Sequence, residues 1–198
     1  IMFHEGNRQL QDQFDSRRIA DRLEEKLTRQ AFTEGDRSLI EALPFFFLAT
    51  SDDRGRADCS FKGGLPGFVR VTGASELAFP DYDGNGMFKS LGNILVNPEV
   101  GLLFIDMGEK PRRLRVNGRA TVLRDDPLMQ KFAGAQLLVR VAVRAIFPNC
   151  PRYVTTPGVA EPSKYAPRPG YEPPEPAWKG FDDFKDYVHP RQKTPDGA

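Results

Sequence analysis

The sequence predicts a mainly β protein, a small β-barrel with minor helices. Strand-like segments bounded by turn residues follow one another at regular spacing between Phe45 and Phe147. Helical spacing of apolar residues is confined to short segments, one of which bridges two strands between Phe79 and Val100. The run from Val100 to Ile105 is apolar throughout, as expected for a strand covered on both faces. This pattern is typical of a barrel.

Composition limits the classes of partner. The 198 residues suffice for one domain with a sizeable core, and 39% of them are hydrophobic and 28% charged. The formal net charge of +1 offers no basic excess for nucleic acid or an anionic membrane. No apolar run approaches the roughly 20 residues of a membrane span. Cys59 and Cys150 stand in separate contexts, which excludes a disulfide framework and predicts a cytoplasmic protein.

Two helices are predicted before the barrel. The first covers residues 8–29 and is too polar for a core, so it should lie across a surface or a partner subunit. Its expected inward positions are Leu10, Phe14, Leu23 and Leu27. Asp36 is the expected N-cap of the second, which carries Leu39, Ile40 and Leu43 and ends at Pro44.

Strands account for most of the next hundred residues. Asp52–Gly55 should form a hairpin turn, and the strand after it alternates, with Arg56, Asp58, Ser60 and Lys62 on one face. In another long strand, Arg113, Arg115, Asn117 and Arg119 share one face, and Leu114, Val116, Gly118 and Ala120 share the other. The predicted strands are Phe45–Thr50, Arg56–Lys62, Phe68–Val71, Glu76–Phe79, Val100–Ile105, Pro111–Arg124 and Leu137–Phe147.

The bridging helix carries the first chemical signal. It follows a glycine-rich turn at Asp81–Gly86 and ends at Asn97-Pro98, and its expected inward residues are Met87, Leu91, Ile94 and Leu95. Lys89 and Ser90 lie in its first turn, where free backbone N–H groups and the helix dipole favour an anion such as a phosphate monoester. The alternative is that Lys89 is an ordinary solvated lysine.

Other kinds of site find little support. There is no dinucleotide-binding or P-loop glycine motif and no nucleophile elbow. His4 and His189 have no Cys or His at ligand spacing, so no metal site is predicted. The cations Lys62, Lys89, Arg113 and Arg115 remain, and an anionic ligand is the simplest account of them. Alternatively, they are exposed strand residues paired with acidic side chains.

The sequence divides into three regions: a helical segment over 1–43, the barrel over 44–148 and a C-terminal arm over 149–198. The arm is rich in proline and cannot form its own core. Its aromatic residues predict an extended segment that packs on the barrel or on another subunit, with disorder as the alternative. They are Tyr153, Tyr165, Tyr171, Trp178, Phe181, Phe184 and Tyr187.

The segments GMFKSLGNILVNPEVGLLFID and RRLRVNGRA resemble the pyridoxamine 5′-phosphate oxidase-like flavin-binding family, over roughly Phe45 to Phe147. Counted back from Asn97-Pro98, Phe88, Lys89 and Ser90 stand where the family has Ser, Arg and Lys. Arg113 stands at the family's flavin-contacting Gln. DCSFKGGLPGFV, FPDYDGNG and IFPNCPRYV look more like a bacterial branch than the vitamin B6 enzyme, whose C-terminal substrate-binding Arg and His have no clear counterpart.

The resemblance implies an FMN-binding split barrel that forms a homodimer, with FMN in a cleft between subunits. Lys89 and Ser90 would bind the phosphate, and Lys62 and Ser60 would reach the phosphate or the ribityl chain. The backbone of Phe68-Val69 and Pro80-Asp81 would line the ring. Arg113 or Arg115 of the second subunit would lie at its pyrimidine edge, where a cation favours reduced, anionic flavin.

The activity implied is that of an FMN-dependent oxidoreductase acting on a small molecule. No general acid or base is identifiable from the sequence. The alternatives are a flavin carrier or sensor without catalysis, or a split barrel that uses haem or a deazaflavin; the scarcity of histidine disfavours haem.

Overall fold

The computed structural model describes residues 2–82, 84–154 and 174–188, and seven strands within these ranges form one sheet. The strands are β1 (Phe45–Ser51), β2 (Ala57–Gly63), β3 (Arg70–Gly73), β4 (Glu76–Tyr82), β5 (Glu99–Asp106), β6 (Arg112–Leu123) and β7 (Ala135–Asn149). Neighbouring strands are antiparallel, in the order β2-β1-β5-β6-β7-β4-β3. The predicted strands are therefore confirmed, with shifted ends.

The helices are α1 (Glu5–Gln13), α2 (Arg17–Leu27), α3 (Glu34–Ala42) and α4 (Lys89–Val96), with short 3-10 helices at Pro127–Lys131 and Ala177–Gly180. The chain divides into two units. One contains residues 29–161, and the other contains residues 1–28 and 162–198. None of the helices in the described ranges is long and apolar enough to cross a membrane.

The core of the larger unit lies inside the rolled sheet. The ring of Phe46 on β1 lies 5.9 Å from Phe68, 4.9 Å from Phe79 and 5.3 Å from Phe104, measured between centroids. Because β1 and β4 are far apart in the strand order, the Phe46–Phe79 contact requires the sheet to curl on itself. Alternate residues of the strands, together with α3 and α4, fill this interior.

Two adjustments let the strands close in this way. Gly118 lies where the pairing of β6 with β7 shifts register, and a Cβ atom there would clash with the carbonyl oxygen of Ala142. β4 continues to Tyr82, beyond the predicted end at Phe79. Pro80 is tolerated there because β3 pairs with β4 only as far as Ala78, so the rest of β4 is an edge on that side.

The prediction of one helix over 8–29 is wrong. α1 and α2 are separated at Phe14–Ser16, where Asp15 has a left-handed φ of 48° and the Ser16 N–H donates to the Gln11 carbonyl. Leu10 and Phe14 are exposed, and no residue of α1 or α2 is fully buried. The apolar spacing continues across the break, so periodicity alone did not reveal it.

The cap of α3 also differs from the prediction. Thr33, not Asp36, is the N-cap, and its hydroxyl accepts from the Asp36 N–H at 3.1 Å. Asp36 stands three residues later in the capping box: its carboxylate accepts from the Thr33 N–H at 2.8 Å and pairs with Arg29 at 2.8 Å. Leu39, Ile40 and Leu43 are buried as predicted.

Residues 174–188 of the C-terminal arm contact α2. The guanidinium of Arg22 donates to the Asp183 carbonyl at 3.0 Å and lies 5.2 Å from the centre of the Tyr187 ring. Trp178 and Phe184 meet edge to face at 5.8 Å. We expected the aromatic residues of the arm to pack on the barrel or on a second subunit. Tyr187 instead contacts an N-terminal helix, and Trp178 and Phe184 contact each other. Tyr165 and Tyr171 lie outside the described residues.

Candidate functional site

The polar face of β2 points into the barrel and meets the start of α4. Ser60 is the pairing partner of Leu48 and Lys62 that of Phe46, two fully buried residues of β1. The Ser60 hydroxyl lies 2.9 Å from the hydroxyl of Ser90, which is buried in the first turn of α4. One hydroxyl donates to the other, so this serine pair keeps one O–H that can donate to a ligand.

The start of α4 carries no side-chain cap. Its N-cap residue is Phe88, which has a left-handed φ of 46° and provides no capping hydrogen bond. The first-turn N–H groups of any helix lack intrahelical acceptors, and no hydrogen bond from a described residue satisfies them here. Lys89 stands beside them with an exposed side chain. The donors therefore suit an anion.

Buried polar contacts fix α4 against β1. The Asn93 amide donates to the Thr50 hydroxyl at 3.0 Å, and both residues are buried. Asn97 donates to the Ser51 hydroxyl at 2.8 Å at the other end of the helix. The sequence analysis missed Thr50 and Asn93, although an asparagine between Leu91 and Ile94 on a helix was the available signal.

The inward face of α4 was predicted only in part. Leu91 and Ile94 are buried, but Met87 and Leu95 are 71% and 73% exposed. Met87 precedes the helix, which begins at Lys89, and the buried positions are Ser90, Leu91, Asn93 and Ile94. Leu95 follows these on the opposite side, so its place in the predicted inward set is wrong.

The charge of Lys62 on β2 acts on the carboxyl group of Asp81 on β4, so these two strands approach each other across the gap between the two ends of the sheet. We call this gap the seam; it is bordered by Ser60 and Lys62 on β2 and by Asp81 on β4. Burial raises the pKa of the Asp81 carboxyl, and the positive charge of Lys62 opposes that rise. The structure therefore places Ser60 against Ser90 at the start of α4, next in sequence to Lys89, and places Lys62 near enough to Asp81 for its charge to act on the carboxyl.

Three of the residues expected along the ring are buried. Phe68 and Val69 belong to the core, and Pro80 is buried on β4. The Phe68 N–H already donates to the Leu65 carbonyl at 2.9 Å. Of the backbone groups of Phe68 and Val69, the two carbonyl groups and the Val69 N–H are therefore left for a ligand.

Arg113 and Arg115 lie on the other face of the sheet. They alternate with the buried Leu114 and Val116, so within one chain they point away from Ser60 and Ser90. Arg113 donates to the Cys150 carbonyl, and Arg115 stacks over the Phe147 ring at 6.0 Å. The Arg113 Nε and the Oδ1 of Asn149, its pairing partner, are buried without a hydrogen-bond partner in the described ranges.

Next to these arginines the same face of the sheet is apolar. Phe61 is 62% exposed, stacks on Phe45 at 5.4 Å and meets Phe47 edge to face at 6.0 Å. Leu103 is the pairing partner of both Phe47 and Arg115, which makes the surface continuous from β2 to β6. We refer to Phe45, Phe47, Phe61, Leu103 and Arg115 as the outer surface.

No group of three or more potential metal ligands occurs in the part of the chain that the structure describes. The donors at α4 are hydroxyl, ammonium and N–H groups, which suit a phosphate. They fit the phosphate of a flavin nucleotide, as the family resemblance implies.

Comparisons with known proteins give the family. Among curated proteins, none is significantly similar to the sequence. HupZ from Group A Streptococcus is 18% identical, with 59% of this chain and 93% of HupZ covered and a TM-score of 0.47. An FMN-binding protein from Syntrophomonas wolfei is 12% identical, covering 74% and 96% at 0.46, and a FAD-binding protein from Mesorhizobium loti is 14% identical, covering 63% and 99% at 0.43.

The family model described as pyridoxamine 5′-phosphate oxidase matches residues 32–154, which is more than half of the chain. The match spans β1 to β7 and contains every residue that borders the seam. The predicted fold class, a mainly β split barrel, is confirmed. The chain belongs to the pyridoxamine 5′-phosphate oxidase family.

Proposed function

We propose that the protein binds FMN at the seam and works as an oxidoreductase on a small molecule. The observation that carries the proposal is the hydroxyl pair of Ser60, which is half-buried, and Ser90, which is buried, beside the uncapped start of α4. A hydroxyl pair with a spare O–H, next to free N–H groups and a lysine, can donate hydrogen bonds to the oxygen atoms of an anion. Family membership makes a flavin phosphate the first candidate.

The phosphate would take donors from two elements, α4 and β2. Lys89 and the first-turn N–H groups of α4 supply charge and direction, and the serine pair supplies the spare O–H. Lys62 stands two residues beyond Ser60 on the same face of β2, so it can reach the phosphate or the ribityl chain. Ser90 stands where the family has its second basic residue. A neutral hydrogen bond from Ser90 would therefore replace one of the two charged contacts to the phosphate.

Bound FMN would supply two-electron transfer, and the chain would supply position and electrostatics. The Pro80-Asp81 segment borders the seam on the side opposite Ser60, so its backbone would line the ring. The carbonyl groups of Phe68 and Val69 are further candidates. α4, held by the Asn93–Thr50 hydrogen bond, keeps the phosphate donors at a fixed distance from that segment.

A homodimer would complete the site. The outer surface exposes Phe61 at one end and carries Arg115 at the other, and Leu95 and Val96 of α4 are exposed as well. Such apolar surface favours a second subunit, whose Arg113 or Arg115 would approach the pyrimidine edge of the flavin. We place the protein in the cytoplasm, where Cys59 and Cys150, both free thiols here, would stay reduced.

Flavin titration tests the proposal. We expect the purified apoprotein to bind FMN more tightly than riboflavin, because the donors at α4 act on the phosphate alone, and to reoxidise its photoreduced flavin with an electron acceptor faster than free flavin does. Reoxidation no faster than that of free flavin would favour a carrier or sensor. Tight binding of haem or a deazaflavin, with no preference for FMN over riboflavin, would contradict FMN as the cofactor.

A further inference from the structure

The carboxyl group of Asp81 lies at the seam without a hydrogen-bond donor of its own. It shares the inward side of β4 with Phe79, which is fully buried, and is itself partly buried. No hydrogen bond or ion pair reaches its oxygen atoms from the described residues. A carboxylate withdrawn from water without donors is costly, and such groups collect at sites that a ligand completes.

Burial and the neighbouring groups determine which protonation state of the Asp81 carboxyl is favoured. Lys62 on β2 is the charged group that acts on it from across the seam, and Leu137 is its apolar pairing partner on β7. Tyr82, the next residue, is another titratable group nearby, and burial raises its pKa. The effect of burial on the Asp81 pKa is larger than the opposing effect of the Lys62 charge. The pKa is therefore raised, which favours the neutral carboxylic acid in the folded protein.

The spacing between Lys62 and the serine pair is comparable to the length of a flavin side chain. Lys62, whose charge acts on the Asp81 carboxyl, is two residues from Ser60, about 7 Å along the strand. A ribityl chain of five carbons, with bonds of about 1.5 Å, spans a comparable distance. A phosphate held by Ser60 and Ser90 therefore puts the flavin ring within reach of Asp81.

We propose that the neutral carboxylic acid of Asp81 donates a hydrogen bond to an oxygen or nitrogen atom of the flavin ring, which makes ring binding proton-coupled. Where free Asp81 is ionised, binding takes up one proton from water and the carboxyl O–H forms as the ring docks. This inference rests on the proposed flavin site and deepens it, because it gives a side chain to a stretch otherwise assigned through its backbone.

Riboflavin is the probe, because it has no phosphate whose own titration would confuse the result. The affinity of the wild-type apoprotein for riboflavin should fall by about tenfold or more between pH 4.5 and pH 8, since an ionised Asp81 cannot donate and must be neutralised first. Asp81→Asn keeps a donor that does not titrate, so its affinity should be nearly constant over the same range.

Asp53→Asn is the matched control. It makes the same chemical change at an exposed residue of the hairpin between β1 and β2, and it should keep the wild-type pH dependence. Lys62→Met adds a directional check. Removing the charge that opposes protonation of Asp81 should move the midpoint of the affinity curve to higher pH.

Carbon-13 NMR of labelled aspartate in the wild-type protein gives a readout that needs neither activity nor a variant. The Asp81 carboxyl signal should titrate at higher pH with riboflavin bound than without it. Thermal melting of Asp81→Asn checks folding, and the variant should be more stable than wild type at pH 7. The raised pKa means that stability is lost as pH rises through it, and the amide removes that loss.

An unchanged pH dependence in Asp81→Asn, or a wild-type affinity that does not vary with pH, would overturn this inference while FMN binding at α4 stood. An Asp81 signal unmoved by riboflavin would overturn it as well. If the wild-type protein binds neither riboflavin nor FMN at any pH, the proposed function fails and this inference fails with it.

Discussion

At the scale of single residues, Lys89 and Ser90, which we propose as phosphate-binding residues, differ in their surroundings. Lys89 is exposed at the first position of α4, whereas Ser90 is buried and bonded to Ser60. A lysine at position 90 would bring a charge into a buried place that the serine pair now occupies. The serine at position 90, where the family has a lysine, is therefore matched by a polar hydrogen-bonding partner at position 60.

The charge of Lys89 should act on the phosphate and not on the ring. Lys89→Ala should weaken FMN binding by about tenfold or more, because a charge-assisted hydrogen bond contributes about 1.5–3 kcal/mol. Riboflavin binding should be nearly unchanged in a fluorescence titration. Lys131→Ala, which removes another exposed lysine of the same unit, is the control. Equal losses for FMN and riboflavin would remove Lys89 from the phosphate site.

Single-residue reasoning succeeded where alternation is decided by burial. Leu114, Val116, Gly118 and Ala120 all point inward as the pattern indicated. It was less informative on β2, where the inward face is the polar one and Phe61 points outward. An alternating pattern separates the two faces of a strand. It does not predict which face points into the protein when that face lines a ligand site and not an apolar core. The side chain of Asp81 was missed for the same reason.

At the scale of elements, α4 acts as a rigid support for the donors at its start. Its hydrogen bond from Asn93 to Thr50 of β1 is buried, so losing the acceptor leaves a buried donor unpaired. The Asn97-Pro98 stop and the glycines before the helix predicted where α4 lies. They did not predict its first residue, because Phe88 is an unusual N-cap. The break between α1 and α2 was not predicted for a similar reason: Asp15 adopts a conformation that local preference disfavours.

Thr50→Val should loosen this support without changing the volume of the side chain. We expect the free energy of unfolding to fall by about 1–3 kcal/mol, the cost of an unpaired buried donor on Asn93. The preference for FMN over riboflavin should narrow, because the start of α4 would no longer be fixed. Thr50→Ser keeps the hydroxyl and should restore both quantities. A variant that lost affinity equally for FMN and riboflavin would show that α4 does not position the phosphate donors.

At the scale of the whole molecule, the separation of the cations is the main finding. Lys89 lies at the start of α4, which packs on the inner side of the sheet, and Arg113 and Arg115 lie on the outer side, so the proposed flavin site would need these arginines from a second chain. The family resemblance supplied this arrangement as an expectation, whereas composition and periodicity gave only the two faces of β6. Which parts of two chains meet depends on surfaces that no local pattern encodes.

Mixed dimers test the shared site. Lys89→Ala and the double variant Arg113→Ala/Arg115→Ala should each bind FMN weakly. Unfolded and refolded together, they should regain up to one strong site per mixed dimer, because one site then carries both defects and the other carries neither. Each variant refolded alone is the control. Mixed dimers that form without regaining a strong site would mean that the lysine and the arginines act within one chain.

The pairing of α2 with residues 174–188 also bears on how the protein is made. Arg22 contacts Asp183 and Tyr187, so the partner of an early helix is translated after every strand. During synthesis at roughly 5–20 residues per second, α2 is complete about 7–30 s before residue 174 is added, so it waits that long for this partner. The sheet can fold in that interval, since its seven strands precede residue 150. The order of translation therefore leaves α2 and residues 174–188 to join last.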